Sequence, residues 1–248
     1  MTSVLVVRKY DDFSRILTEH GFSVLNCPTI ETSELDNLPD LAAKISANNY
    51  DGIFLTSARA AAIAVREVFD KKPVFPGRVY VLGNSSRELL KDRRLDLFFD
   101  EKANTAREML VAIPPDELRG RRFLFIRGEK SLGAVTEFLK QTAAVDEAVV
   151  YRTVGLTIDD ASKREIAEKT RAGEIAAACF FSPSGAESFL EQLGAEILRK
   201  TKIAAIGRTT ANFFAGRGLK TDLTAGKATA GDFAADLIKY LKKKGRPF

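Results

Sequence analysis

The chain has 248 residues, 45 % hydrophobic and 29 % charged, which suffices for one large core or, in an α/β chain, two cores of about 100–120 residues each. No stretch approaches the roughly 18 uninterrupted apolar residues of a membrane span, and the opening MTSVLVVRKYDD turns charged too soon for a signal peptide. The formal charge of +5, partly made by the tail KKKGRPF, is a modest bias toward anionic partners; no RNA-binding motif or aromatic-basic interleaving supports nucleic acid, and a small polyanionic ligand fits the charge as well.

In chain order, SVLVV reads as a strand, Asp12–His20 as a helix that His20 caps ahead of Gly21, and FSVLNC as a strand. A helical stretch over Leu38–Ala47 leads into GIFLT, a helix over Ala58–Phe69 into RVYVLG, and a short helix from Ser86 into DLFF. A helix near Thr105–Val111 precedes RFLFIRG, and one near Leu132–Gln141 precedes AVVYRTVGL. Then come a helix from Ser162, AAACFF, a helix from Ala186, KIAAIG, a helix from Ala211 and a last helix from Asp232. Strands apolar on both faces and separated by helices indicate parallel sheets covered on both sides. PTIETSEL and VVYRTVGLT are rich in β-branched residues without helical period and read as extended connectors.

The pattern repeats. Ser57 to Gly83 is 26 positions and Ser182 to Gly207 is 25; Gly83 to Thr105 and Gly207 to Thr229 are both 22. Each set reads strand–Ser–helix, strand–Gly–hydroxyl–helix, then a loop into a helix: a long module spanning about 51–112 and about 177–241. A short module, VLVVR ending at Arg8 and FLFIR ending at Arg127, also occurs twice. The order is short, long, short, long, and the residues alone leave open how the modules pair.

The corners after the strands carry the candidate chemistry. Ser182 suits an N-cap with Pro183 at the first helical position and Ser184 beside it, and Thr56-Ser57 open the helix carrying Arg59. Asn84-Ser85-Ser86 after Gly83 and Arg208-Thr209-Thr210 after Gly207 supply further turns and caps. Each corner aims backbone N–H groups at the carboxyl edge of a parallel sheet, where such sheets place ligands and where carboxylates or phosphates bind without special side chains. Arg8 and Arg127 stand at strand ends able to grip carboxylates, and Tyr151 projects from the second connector. There is no GxGxxG, no GxxxxGK[ST] and no GxSxG with a partner histidine, which disfavours dinucleotide, P-loop and serine-hydrolase chemistry. Cys27 and Cys179 sit in apolar surroundings as buried free thiols of a reducing cytoplasm, and with the single His20 they leave no structural zinc set.

In VLVVR, YDGIFLTSARAA, VYVLGNSS, the Arg127–Gly128 strand end, VVYRT, FFSPSGAESF and IAAIGRTTANFFAGRGL, the chain resembles the uroporphyrinogen-III synthase family, in that family's order over nearly its whole length. The resemblance implies an α/β fold of two similar domains, each a parallel sheet flanked by helices. Residues 1–28 and 158–248 would form a discontinuous domain and 36–147 the other. Residues 29–35 and 148–157 would be extended linkers joined as a two-stranded antiparallel ladder. It also implies a hydro-lyase of tetrapyrrole biosynthesis without cofactor or metal; the free thiols point to the cytoplasm, and since no long exposed apolar stripe argues for a dimer, a monomer is expected. Such an enzyme cyclises hydroxymethylbilane, a linear tetrapyrrole with eight carboxylates, to uroporphyrinogen III. The substrate's own pyrroles drive ring D inversion through a spiro-pyrrolenine. By position, Ser57, Ser86, Ser182 and Thr210 fall on the family's hydroxyl positions and Tyr151 on its connector tyrosine, the candidate for assisting departure of the hydroxyl. Arg8, Arg59, Arg127, Ser184 and Thr209 complete the expected substrate-binding set. The chain departs from frequent family residues with Val7 and Lys9 flanking Arg8 and with Ser86 in place of threonine; Phe181 stands where the first long module has Thr56. A two-domain binding protein or sensor that closes on a small polyanion is the alternative that the modules fit equally well.

Overall fold

Short apolar runs closed by polar turns form the strands, and a serine, threonine or aspartate after the turn starts many of the helices. The computed structural model describes residues 2–36, 38–71, 74–131 and 133–244; Leu132 of the expected Leu132–Gln141 helix and the end of the KKKGRPF tail lie outside the described residues. The chain runs β1 (Ser3–Val6), α1 (Asp12–Glu19), β2 (Ser23–Asn26), β3 (Ile30–Glu34), α2 (Leu41–Asn48), β4 (Gly52–Leu55) and α3 (Ala58–Ala64). It continues through β5 (Arg78–Val81), α4 (Asn84–Glu88), β6 (Asp96–Phe99), α5 (Ala106–Ala112), β7 (Arg122–Gly128), α6 (Ala134–Leu139) and β8 (Ala144–Gly155). It ends with α7 (Asp160–Arg171), β9 (Ile175–Phe180), α8 (Pro183–Leu193), β10 (Lys202–Ala205), α9 (Arg208–Ala215), β11 (Leu223–Thr224) and α10 (Ala230–Lys244).

Two compact units result: the described residues of Met1–Glu31 with Val154–Phe248, and those of Thr32–Thr153. The first holds a five-stranded parallel sheet in the order β11-β10-β9-β1-β2. The other sheet is ordered β3-β8-β7-β4-β5-β6, parallel from β8 to β6, with β3 antiparallel to β8. The long-module strands β9, β10, β11 and β4, β5, β6 run outward from the middle of their sheets; the short-module strands β1, β2 and β7, β8 run the other way. The first short module thus pairs with the last long one, and the repeat read from spacing is a repeat of topology. The antiparallel pair differs in one respect from a free-standing ladder. β8 also pairs with β7 from Arg122↔Ala144 to Gly128↔Tyr151, so the pair forms the edge of the second sheet.

Each sheet is covered on both faces. In the first unit, Val4, Val6 and Cys179 pack with Phe13 and Leu17 of α1 and Phe233 and Leu237 of α10. On the opposite face Leu5, Ala178 and Phe180 meet Ile166 of α7, Phe189 of α8 and Phe214 of α9. In the second unit Ile53, Leu55 and Val81 meet α2 and α3, and Phe54, Tyr80 and Phe123 meet α5 and α6. Phe54 and Tyr80 stack at 4.5 Å; truncating such a buried ring costs about 3–5 kcal/mol.

The helix starts differ from the sequence reading. α4 begins at Asn84 rather than Ser86 and α9 at Arg208 rather than Ala211, because Gly83 and Gly207, not the hydroxyl residues, occupy the N-cap positions. The helix expected over Ala58–Phe69 changes to π geometry over Val65–Phe69, where the Asp70 N–H reaches back to the Val65 carbonyl at 2.8 Å. Cys27 lies one residue beyond β2 rather than within it.

Candidate active site

In an open parallel sheet the ligand crevice lies at the carboxyl ends of the two strands from which the connections diverge. In the second unit these are β4 and β7. After β4, Ser57 caps α3, its Oγ accepting the Ala60 N–H at 3.2 Å. β7 ends at Arg127 and Gly128, and Tyr151 of β8 is the register partner of Gly128. A Cβ at Gly128 would lie 2.5 Å from Cε2 and Cζ of the Tyr151 ring. The missing side chain is therefore the seat of the ring, and the phenol so placed donates to Ser57 Oγ at 3.1 Å. The structure thus brings two of the expected residues, Ser57 and Tyr151, into direct contact. Gly128 was not among the expected site residues; a glycine closing an apolar strand, where a neighbouring side chain can approach the backbone closely, is the signal that could have found it.

The arginines at this edge are engaged. Arg127 binds Glu147 Oε2 through Nε at 2.8 Å and through a second nitrogen at 2.6 Å, and also donates to the carbonyls of Gly128 and Glu129. Burial works to raise the Glu147 carboxyl, but hydrogen bonds from Thr136 and Arg127 outweigh it and leave it below its ordinary value. Arg59 donates to Glu34 Oε1 of β3 at 3.2 Å, and Arg66 donates to both carboxylate oxygens, at 3.2 Å to Oε1 and 2.6 Å to Oε2. Glu34 is held low chiefly by the Arg66 hydrogen bond. At the neighbouring corner Gly83 has φ 86°, a left-handed value that favours glycine, and α4 starts without a side-chain cap. Ser86 is buried there.

The first unit repeats the arrangement at β9 and β1. Ser182 caps α8, accepting the Gly185 N–H at 3.1 Å, with Ser184 Oγ 3.3 Å away and Pro183 in the first position. Thr29 ties down the same turn by donating to the Gly185 carbonyl at 2.9 Å while its own carbonyl accepts from Ser188. α9 opens behind Gly207 with no side-chain cap, leaving Thr209 exposed and Thr210 buried. Arg8 pairs with Asp11 at 2.8 Å and lies 4.4 Å over the ring of Phe181, which gives that unexpected phenylalanine a partner. Among the described residues, no three His, Cys, Asp or Glu side chains are grouped to hold a metal ion, and no helix is long and apolar enough to cross a membrane.

The family model for uroporphyrinogen-III synthase (HemD) matches residues 11–235. The chain belongs to the uroporphyrinogen-III synthase family. Its activity is that of this family, a hydro-lyase step of tetrapyrrole biosynthesis. A uroporphyrinogen-III synthase of Chlorobaculum parvum is 28 % identical over 254 residues, covering 98 % of this chain and all of the relative. The fold is similar to the crystal structure of a mutant uroporphyrinogen III synthase from Thermus thermophilus, with TM-score 0.66 at 16 % identity over 98 % of this chain and all of the other. It is also similar to that of a uroporphyrinogen-III synthetase from Helicobacter pylori, with TM-score 0.63 at 16 % identity over 97 % of this chain and all of the other.

Proposed function

We propose that the chain converts hydroxymethylbilane to uroporphyrinogen III, releasing water and inverting ring D through a spiro-pyrrolenine. The family match over residues 11–235 carries this reading. In the proposed sequence, the terminal C–O bond breaks with its electron pair going to oxygen, and the ring A N–H proton completes the water. The resulting azafulvene is attacked by the substituted carbon of ring D. The spiro intermediate fragments and recombines the other way round, and loss of a proton restores the pyrrole.

The protein's work is to hold the bilane so that the spiro attack outruns direct closure. In the first unit Ser182, Ser184, Thr209 and the uncapped first turn of α9 are donors suited to carboxylates; in the second, Ser57 and Arg59 are. Arg8 and Arg127 would take substrate carboxylates in exchange for Asp11 and Glu147. Ser86 and Thr210, being buried, contribute through the backbone N–H groups of their turns. Loss of the hydroxyl is assisted at the Ser57–Tyr151 pair. We place the chain in the cytoplasm, supported by its two buried free thiols, and as a monomer, in keeping with a sequence whose apolar residues form no long exposed stripe. The test is to add purified protein to freshly made hydroxymethylbilane, oxidise the products and resolve the isomers chromatographically. Isomer III is expected; isomer I at the uncatalysed rate overturns the reading.

A further inference from the structure

We infer that Ser57, rather than Tyr151, is the direct hydrogen-bond donor to the departing hydroxyl, and that Tyr151 is the positioning residue behind it; this rests on the proposed reaction. A serine hydroxyl has two acceptor lone pairs and one hydrogen. Ser57 Oγ accepts from the Ala60 N–H at 3.2 Å and from the Tyr151 hydroxyl at 3.1 Å, so both lone pairs are in use. Its own hydrogen has no acceptor among the described residues. Tyr151 is in the opposite condition, its one hydrogen already given to Ser57. A phenolic O–H is a stronger hydrogen-bond donor than an alkyl hydroxyl, so the phenol donates and the serine accepts.

Each bond that Ser57 accepts polarises its O–H and strengthens the one it donates outward. The Ala60 N–H belongs to the first turn of α3, so the positive end of the helix adds to the effect. Tyr151 has little freedom to do otherwise, because its ring is seated over Gly128 and packed against the core of the second unit. Ser57 keeps its proton throughout. It stabilises charge developing on the oxygen as the C–O bond breaks, and the ring A N–H supplies the proton that completes water.

The test compares turnover to isomer III in Ser57→Ala, Ser57→Gly, Ser57→Thr, Tyr151→Phe and Ser57→Ala/Tyr151→Phe, with thermal melts on the same samples. Glycine caps a helix nearly as well as serine but has no hydroxyl, so it separates capping from donation. Ser57→Ala and Ser57→Gly are expected to lower kcat by about a hundredfold, as for the loss of one donor aimed at developing charge, and Ser57→Thr to restore most of it. Tyr151→Phe is expected to lose about tenfold, the effect of removing one hydrogen bond that polarises and orients Ser57. The double variant is expected to be no slower than Ser57→Ala, since Tyr151 acts only through Ser57. A Tyr151→Phe loss larger than that of Ser57→Gly, or losses that multiply in the double variant, overturns the assignment. If the parent protein yields only isomer I, it is the proposed reaction that fails.

Discussion

Gly128→Ala tests how the site is built, because one methyl group enters the space that the Tyr151 ring occupies. The new Cβ would lie 2.5 Å from Cε2 and Cζ and 2.9 Å from the hydroxyl oxygen. Carbon atoms rest at about 3.5–4.0 Å, so the ring has to withdraw by roughly 1 Å. The 3.1 Å bond to Ser57 would then stretch beyond hydrogen-bonding distance. Overpacking of this kind costs about 1–3 kcal/mol, and the lost bond about 1 kcal/mol more. For a chain of this size each kcal/mol moves the melting temperature by about 2–4 °C. A displacement near 1 Å at a reacting centre lowers turnover by about a hundredfold. Melting by circular dichroism and isomer III formation would be measured on one preparation. Adding Tyr151→Phe is expected to bring little relief, since the two closest clashing ring atoms remain. Adding Tyr151→Ala removes the ring and is expected to recover part of the stability, a coupling of about 1–3 kcal/mol. If Gly128→Ala melts and turns over like the parent, the ring is not seated by Gly128 and the account of the site is refuted.

Two further outcomes follow from buried or half-buried titratable groups. Asp146 accepts from the Tyr50 hydroxyl at 2.6 Å and from Arg122 at 2.8 and 3.1 Å; the Tyr50 bond, against burial and with help from Arg122, holds its carboxyl below the ordinary value. A depressed carboxylate adds stability that is full above the unfolded pKa of about 3.9 and is lost as pH falls through the folded value. Asp146→Asn is therefore expected to be less stable than the parent by about 1–3 kcal/mol at pH 7, with the gap closing below about pH 4; urea titrations showing a gap independent of pH would contradict this. Burial, with Asp159 nearby, pushes the Cys27 thiol up to about 12, and burial raises Cys179 as well. Native protein at pH 8 is expected to leave a chromogenic disulfide reagent unreacted over minutes and to yield two thiols in denaturant; a fast native thiol would show that one of these sites is open.

The alternation of strands and helices was readable because both faces of each sheet are covered, which leaves the strands as short, wholly apolar runs such as GIFL and IAAACF. Ser57 and Ser182 were readable as caps because capping is local chemistry. The same logic misplaced the starts of α4 and α9, where hydroxyl residues suggest caps but glycines hold the positions and Ser86 and Thr210 turn inward. β11, with two residues, is too short to show a period. The site's own architecture was the least legible. The contact of Tyr151 with Gly128 depends on strand register, and the ties from Glu34 to Arg59 and Arg66 depend on where β3 lies in its sheet. Register and sheet order are set by packing over long sequence separations, which local pattern does not encode.

The two long modules show what their repetition has kept. In each unit the first corner is closed by a serine, whose oxygen takes a first-turn N–H, and the second is opened by a glycine that takes none. The residues lining the second corners differ, Asn84-Ser85-Ser86 against Arg208-Thr209-Thr210, yet both helices open behind a glycine and without a side-chain cap. Backbone geometry explains only one of the glycines. Gly83 at φ 86° favours glycine, whereas Gly207 at φ −173° is extended backbone open to any residue, and a Cβ there would meet no atom closer than 3.8 Å. Serine at position 207 would place an acceptor over the first turn of α9 and engage one of its N–H groups. Glycine there leaves those donors facing outward. For the polycarboxylate substrate proposed above, main-chain donors at a helix start are the more general device, because they can donate to any carboxylate without dictating which one arrives.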